Sequence, residues 1–229
     1  EAGGAAGGKK EINFEVDQDF IKLLVKKGES LRRSITIKNI GVNELNVEID
    51  FQNLKDILSA YKTSFLIQPN KEGIIDFDLK TGAGVAPGVY IGDIILKAGS
   101  LTKIIRAIIE IESDKVLFDI SLDIPIDYKT VNPGGELRVL ANLLNLGGLQ
   151  NVDVLIEYHI RDSKGNLILK EEETVKVGTQ ASFVKKLKLP DDIALGEYVV
   201  NVIVKYQDSV GTSSETFNVG VRGAEAKET

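Results

Sequence analysis

Apolar and polar residues alternate in short runs from the start of the chain. Ile12, Phe14 and Val16 form the first run, Ile21 to Val25 the second, and Leu31, Ile35 and Ile37 the third, with Arg33 the exception to its parity. A period of two over so few residues predicts strands with one buried and one wet face. Leu45, Val47, Ile49 and Phe51 continue the pattern, and Phe65 to Ile67 is a further short strand. Ile75, Phe77 and Leu79 point inward while Asp76 and Asp78 point outward. The runs after Tyr90 and from Ile104 to Ile111 are apolar on both parities, as in strands covered on two faces. One stretch departs from this period. Leu54, Ile57, Leu58 and Tyr61 fall at i, i+3, i+4 and i+7, which predicts a short helical crossover with Asn53 as its N-cap.

The second half reads the same way. Val116, Phe118, Ile120, Leu122 and Ile124 alternate up to Pro125, and Asn132-Pro133-Gly134-Gly135 makes a turn. Leu137 to Asn145 is apolar on both parities and is placed centrally in its sheet. Val154, Ile156, Tyr158 and Ile160 lead into Asp162-Ser163-Lys164-Gly165-Asn166, a hairpin turn from which Leu167 to Val177 returns. Phe183 to Leu189, Tyr198 to Tyr206 and Thr216 to Val221 complete the strands. Between the halves, Glu112-Ser113-Asp114-Lys115 is the candidate linker, short enough to predict a rod-like pair with limited bending.

The chain repeats itself. Pro87-Gly88-Val89-Tyr90-Ile91-Gly92-Asp93-Ile94-Ile95-Leu96-Lys97 is matched by Leu195-Gly196-Glu197-Tyr198-Val199-Val200-Asn201-Val202-Ile203-Val204-Lys205. Gly28-Glu29-Ser30-Leu31-Arg32 leading to Asn39-Ile40-Gly41 is matched by Gly135-Glu136-Leu137-Arg138 leading to Asn145-Leu146-Gly147. The offsets, 147 − 41 = 106 and 196 − 88 = 108, stay in step over a domain length. A duplication follows, with a tail at residues 1–11, a first domain at 12–113, a second at 114–222 and a tail ending at 229. The predicted turn and corner residues are Gly28, Asn39, Gly41, Gly88 and Tyr90 in one copy, and Gly135, Asn145, Gly147, Gly196 and Tyr198 in the other.

Composition narrows the function classes. Hydrophobic residues at 43% and charged residues at 27% suit a globular chain. The net charge of −6, with basic residues dispersed among acidic ones, gives no footprint for nucleic acid or anionic lipid. No apolar run is long enough to span a bilayer, so no membrane insertion by this segment is expected. Zero Cys excludes disulfides and thiol chemistry. The absence of Met points to a removed leader or to a fragment of a longer protein.

The Gly-Glu turns, the strands ending Asn-Ile-Gly or Asn-Leu-Gly, and the Pro-Gly-Val-Tyr and Leu-Gly-Glu-Tyr strands together resemble tandem immunoglobulin-like modules of prokaryotic, especially archaeal, cell-surface proteins. The second domain is most similar to cell-adhesion-related, CARDB-type modules. The resemblance covers residues 12–221 and implies an all-β fold of two tandem immunoglobulin-like β-sandwich domains. It implies that the Gly and Asn residues hold turns and that each Tyr acts as a tyrosine corner. Cell-surface or extracellular localisation and partners among other protein domains or surface components follow from the same resemblance.

Catalytic chemistry has few candidates. His159, the single histidine, is opposite in parity to Val154, Ile156, Tyr158 and Ile160 and is expected to face solvent. The glycines of 82–88 miss the dinucleotide spacing and enter a strand. Paired aspartates, Asp17 with Asp19, Asp76 with Asp78 and Asp191 with Asp192, fit no calcium-loop spacing, so no metal or cofactor is expected. The sequence therefore points to a non-enzymatic structural, spacer or adhesion module. A second reading is a self-assembling filament subunit in which Ile12, Phe14 and Val16 add as a strand to a neighbour's sheet edge. A third is a carbohydrate-binding module, weakened by the absence of Trp and a total of 6 Tyr.

Overall fold

The computed structural model of the chain describes residues 12–82 and 84–221. These hold β1 (Phe14–Val16), β2 (Phe20–Lys26), β3 (Ser30–Asn39), β4 (Leu45–Asp50), β5 (Leu58–Ala60), β6 (Ser64–Ile67), β7 (Glu72–Lys80), β8 (Gly88–Ala98) and β9 (Leu101–Glu112). The later strands are β10 (Phe118–Asp123), β11 (Thr130–Val131), β12 (Glu136–Asn145), β13 (Val152–Asp162), β14 (Leu167–Val177), β15 (Gln180–Lys188), β16 (Gly196–Tyr206) and β17 (Ser209–Val219). The four sheets run β1-β3-β7-β5, β2-β9-β8-β4-β6, β10-β12-β15 and β11-β17-β16-β13-β14. The chain is all-β, as its period of two predicts.

By density of contact the chain divides into two compact units. Of the described residues, one takes 12–21, Ser30–Lys80 and Asp93–Ala107; the other takes Lys22–Glu29, Thr81–Gly92 and 108–221. In the first unit the inward residues Ile35 and Ile37 of β3 and Ile75, Phe77 and Leu79 of β7 are buried, as are Leu45, Val47 and Ile49 of β4. Phe51 reaches Phe77 with ring centroids 5.9 Å apart.

In the second unit two sheets form a sandwich around one core. Phe118, Ile120 and Leu122 of β10 and Leu137, Val139, Ala141 and Leu143 of β12 face Val154, Ile156, Tyr158 and Ile160 of β13. Val200, Val202 and Val204 of β16 and Phe217 of β17 complete it. β12 is central between β10 and β15, as its apolar run predicts. The β13–β14 hairpin turns where expected. Asp162 Oδ1 accepts from the backbone N–H groups of Lys164 at 2.9 Å and Asn166 at 2.8 Å, and Gly165 adopts φ +84°. β14 is an edge strand, and it carries Lys170, Glu171, Glu172, Glu173 and Lys176.

The helical crossover needs correction. The crossover is helical only over the 3-10 turn Gln52–Leu54, and Asn53 lies within that turn, so Phe51 takes the N-cap position. Leu54, Ile57 and Leu58 are buried as a helix would bury them, but Tyr61 is 96% exposed. Consecutive turns, Leu54 N–H to Phe51 O and Ile57 N–H to Leu54 O, bury the first three, and Leu58 then pairs with Leu79 in β7. Glu112 ends β9, Ser113 is buried, and its Oγ bonds the carbonyls of Lys115 and Val210.

Candidate functional site

The turn residues form the same constellation twice. Asn39 is wholly buried; its Nδ2 donates to Asn43 O at 2.7 Å and Ile67 O at 2.9 Å, and its Oδ1 accepts from Gly41 N–H at 2.9 Å. Asn145 Nδ2 donates to Leu149 O at 2.5 Å and Gly178 O at 2.8 Å, and its Oδ1 accepts from Gly147 N–H at 3.1 Å. Each amide thus ties three backbone groups at a turn, the glycine N–H sharing itself with a second carbonyl, Asn13 O for Gly41 and Leu117 O for Gly147. Only Asn fits, because the site needs two donors and an acceptor on one short side chain.

The tyrosines recur equally. Tyr90 Oη donates to Ala86 O at 2.7 Å and Tyr198 Oη to Ala194 O at 2.9 Å, each spanning the turn that precedes its strand. Burial pushes both phenols above their ordinary range. Gly88 and Gly196 hold φ of +154° and +147°, a conformation in which a Cβ is strained, so each Tyr is aimed back over its turn. Gly28 sits at φ +88° with its N–H on Thr81 O. At Gly135 a Cβ would lie 2.7 Å from Val131 Cγ1 and 2.8 Å from Asn132 O, so no side chain fits. Tyr90→Phe and Tyr198→Phe should each cost about 1 kcal/mol in denaturant melts, the worth of one hydrogen bond. An unchanged midpoint in both would show the hydroxyl to be idle.

Of the strand-addition segment, Phe14 and Val16 lie in β1, antiparallel to β3 with Phe14 opposite Asn39 and Val16 opposite Ile37. Phe14 is fully buried, and Ile12 precedes the strand at 39% exposure. The segment is thus seated in its own sheet.

The outer face of the β1-β3-β7-β5 sheet is polar and paired across strands. Arg32 grips Asp78 with Nε 2.8 Å from Oδ1 and Nη2 3.3 Å from Oδ2, and Ser34 Oγ donates to Asp76 Oδ1 at 2.6 Å. The hydrogen bond to Asp78 raises the Arg32 guanidinium, and the same bond holds the Asp78 carboxyl below its usual range. Beside them opens a cavity of about 500 Å³ lined by Arg32, Ser59, Tyr61, Asp76, Asp78 and Lys80. Sequence parity places these carboxylates outward, but the helical reading of Tyr61 hides its part here.

The second unit carries a buried polar row on the face of β13, β16 and β17 away from its core. His159, Asn201 and Ser214 are its buried members and stand opposite one another across β13, β16 and β17, with the exposed Lys170 opposite His159 on β14. Ser214 Oγ donates to Glu110 Oε1, which pairs with Lys22 Nζ at 3.2 Å, and Lys22 Nζ also donates to Ser214 O at 2.5 Å. Glu112 Oε1 accepts from Thr212 N–H at 3.4 Å, and burial pushes its carboxyl up. Burial opposes ionisation of Glu157, yet the Lys205 hydrogen bond at 2.7 Å and nearby Lys170 hold its carboxyl low.

His159 keeps the predicted parity but not the predicted exposure, being 8% exposed. Residues from β2, β8 and β9 cover part of this face, with Ile91 and Ile108 packed on Val199 beside it. Burial lowers the His159 imidazole first, and the charges of Arg161, Lys170 and Lys205 lower it further against Glu157. A depressed folded value means the native state favours the neutral ring. Its contribution is present above the unfolded pKa near 6.5 and is lost as pH falls below it. Thermal melts between pH 7 and 5 should therefore fall more steeply for the wild type than for His159→Gln; parallel curves would refute the assignment.

Among the described residues no group of three or more His, Cys, Asp or Glu is placed to hold a metal ion. Asp17, Asp19, Asp191 and Asp192 are exposed. No helix among them is long and apolar enough to cross a membrane.

No protein-family model matches the chain, and neither does any curated protein. Among solved structures, a protein of unknown function from Porphyromonas gingivalis W83 is 10% identical over 88% of this chain and 98% of its own, with a TM-score of 0.48. A PapD-like (ASH) domain of human CEP192 is 9% identical over 51% of this chain and 95% of its own, at 0.37. The YadV chaperone is 10% identical over 90% and 99%, at 0.35. Likenesses this distant transfer neither site nor activity to the chain.

Proposed function

We propose that the chain is a non-enzymatic structural module, an extracellular spacer or adhesion segment of a cell-surface protein built from duplicated domains at residues 12–113 and 114–222. The observation that supports it is the twofold staple. Asn39 with Gly41 and Asn145 with Gly147, like Tyr90 and Tyr198, are committed to fixing turns in both copies. Two copies of a self-stapled unit suit a part whose work is to hold a shape. The resemblance of the motifs to CARDB-type surface modules supports the location. Brief protease treatment of intact producing cells should release peptides of this chain into the medium. Recovery of those peptides only after lysis would overturn the extracellular reading.

A further inference from the structure

The cavity on the outer face of the β1-β3-β7-β5 sheet is lined by groups that suit a ligand. We propose that it binds a neutral saccharide, with a sugar ring laid on Tyr61 and its hydroxyls hydrogen-bonded to Asp76, Lys80 and Ser59. Tyr61 is 96% exposed, so nearly all of its ring is left in water although aromatic faces contribute most when covered. The cavity, about 500 Å³, lies within the range of small-ligand sites.

Charge decides the ligand class. Arg32 and Lys80 balance Asp76 and Asp78, so the lining carries no net charge to select an anion or a cation. The Arg32–Asp78 fork is closed on itself and forms a wall. Lys80 Nζ is 3.7 Å from Asp78, beyond hydrogen-bond distance, and its side chain is 62% exposed, which leaves donors to offer. Asp76 is exposed and offers acceptors; Ser59, also exposed, offers both. An acceptor carboxylate, a donor ammonium and a hydroxyl around an aromatic platform match adjacent sugar hydroxyls beneath a ring of C–H groups. This goes beyond the structural reading: a spacer needs no ligand, so failure here leaves that reading standing, and cell-surface exposure tests it separately.

The test is an array of neutral oligosaccharides, of hexose and N-acetylhexosamine types, screened with the whole chain and followed by calorimetric titration of the best binder. The inference expects a bound class whose affinity is unmoved by added salt, since no net charge is neutralised. Tyr61→Ala should weaken it about tenfold and Asp76→Asn several-fold. Both side chains are exposed, so both variants should fold, as circular dichroism would show. No binder on the array, or a binder held equally well by Tyr61→Ala, overturns the proposal. So does binding that collapses with salt, which would mark a charged ligand.

Discussion

Replacing Asn39 with alanine is expected to lower stability by about 3 kcal/mol, more than any exposed substitution in the chain. The side chain is 0% exposed and holds Asn43 O, Ile67 O and Gly41 N–H. Truncation takes this donor from the two carbonyls and leaves Gly41 N–H only its bond to Asn13 O at 3.1 Å, and each buried group that loses its partner costs about 1–3 kcal/mol. Asn145, only partly buried, makes the matching bonds, so Asn145→Ala should cost less, about 2 kcal/mol. Asn39→Asp separates hydrogen bonding from volume. It keeps the shape and the acceptor for Gly41 but turns two donors into a carboxylate facing carbonyl oxygens. It should be as damaging at neutral pH as the truncation. Chemical denaturation of the three variants decides it, and a harmless Asn39→Asp would refute the staple.

The second large effect is expected at Lys22. Glu110 is 5% exposed, and its charge is met by Lys22 Nζ and Ser214 Oγ. Removing one member of a buried pair strands the other charge, which costs about 3–5 kcal/mol when both are sequestered. The Lys22 side chain is 36% exposed, so Lys22→Met should fall below that range, at about 2 kcal/mol. Methionine keeps most of the apolar stem, so the loss reports the charge. Adding Glu110→Gln should recover more than half of it, because the amide oxygen still accepts from Ser214 while the stranded charge is gone. A double-mutant cycle in denaturant reads the coupling directly. Additive losses would show that the pair is incidental.

The strands were legible because alternation is itself the physical cause of a half-buried strand, as Leu45, Val47 and Ile49 show. The turn residues were legible through recurrence: Asn39 and Asn145 each precede Gly by two positions, and an amide that closes a loop leaves that trace. Tyr61 was misread because the spacing of Leu54, Ile57 and Leu58 satisfies a helix and a turn followed by a strand equally. Only the pairing of β5 with β7, a contact distant in sequence, separates them. The polar row was invisible for a related reason. Alternation states which face His159 and Asn201 occupy but not what lies over it, and groups remote along the chain meet that face, as Lys22 and Glu110 do at Ser214 and Ile91 and Ile108 at Val199.

Strand β14, at the rim of its sheet, has a consequence for crowding. A foreign strand that docked along it would have to strip water from a run of ammonium and carboxylate groups, and nothing on an incoming backbone repays that loss. Copies brought close together are therefore kept from joining sheet to sheet along this rim.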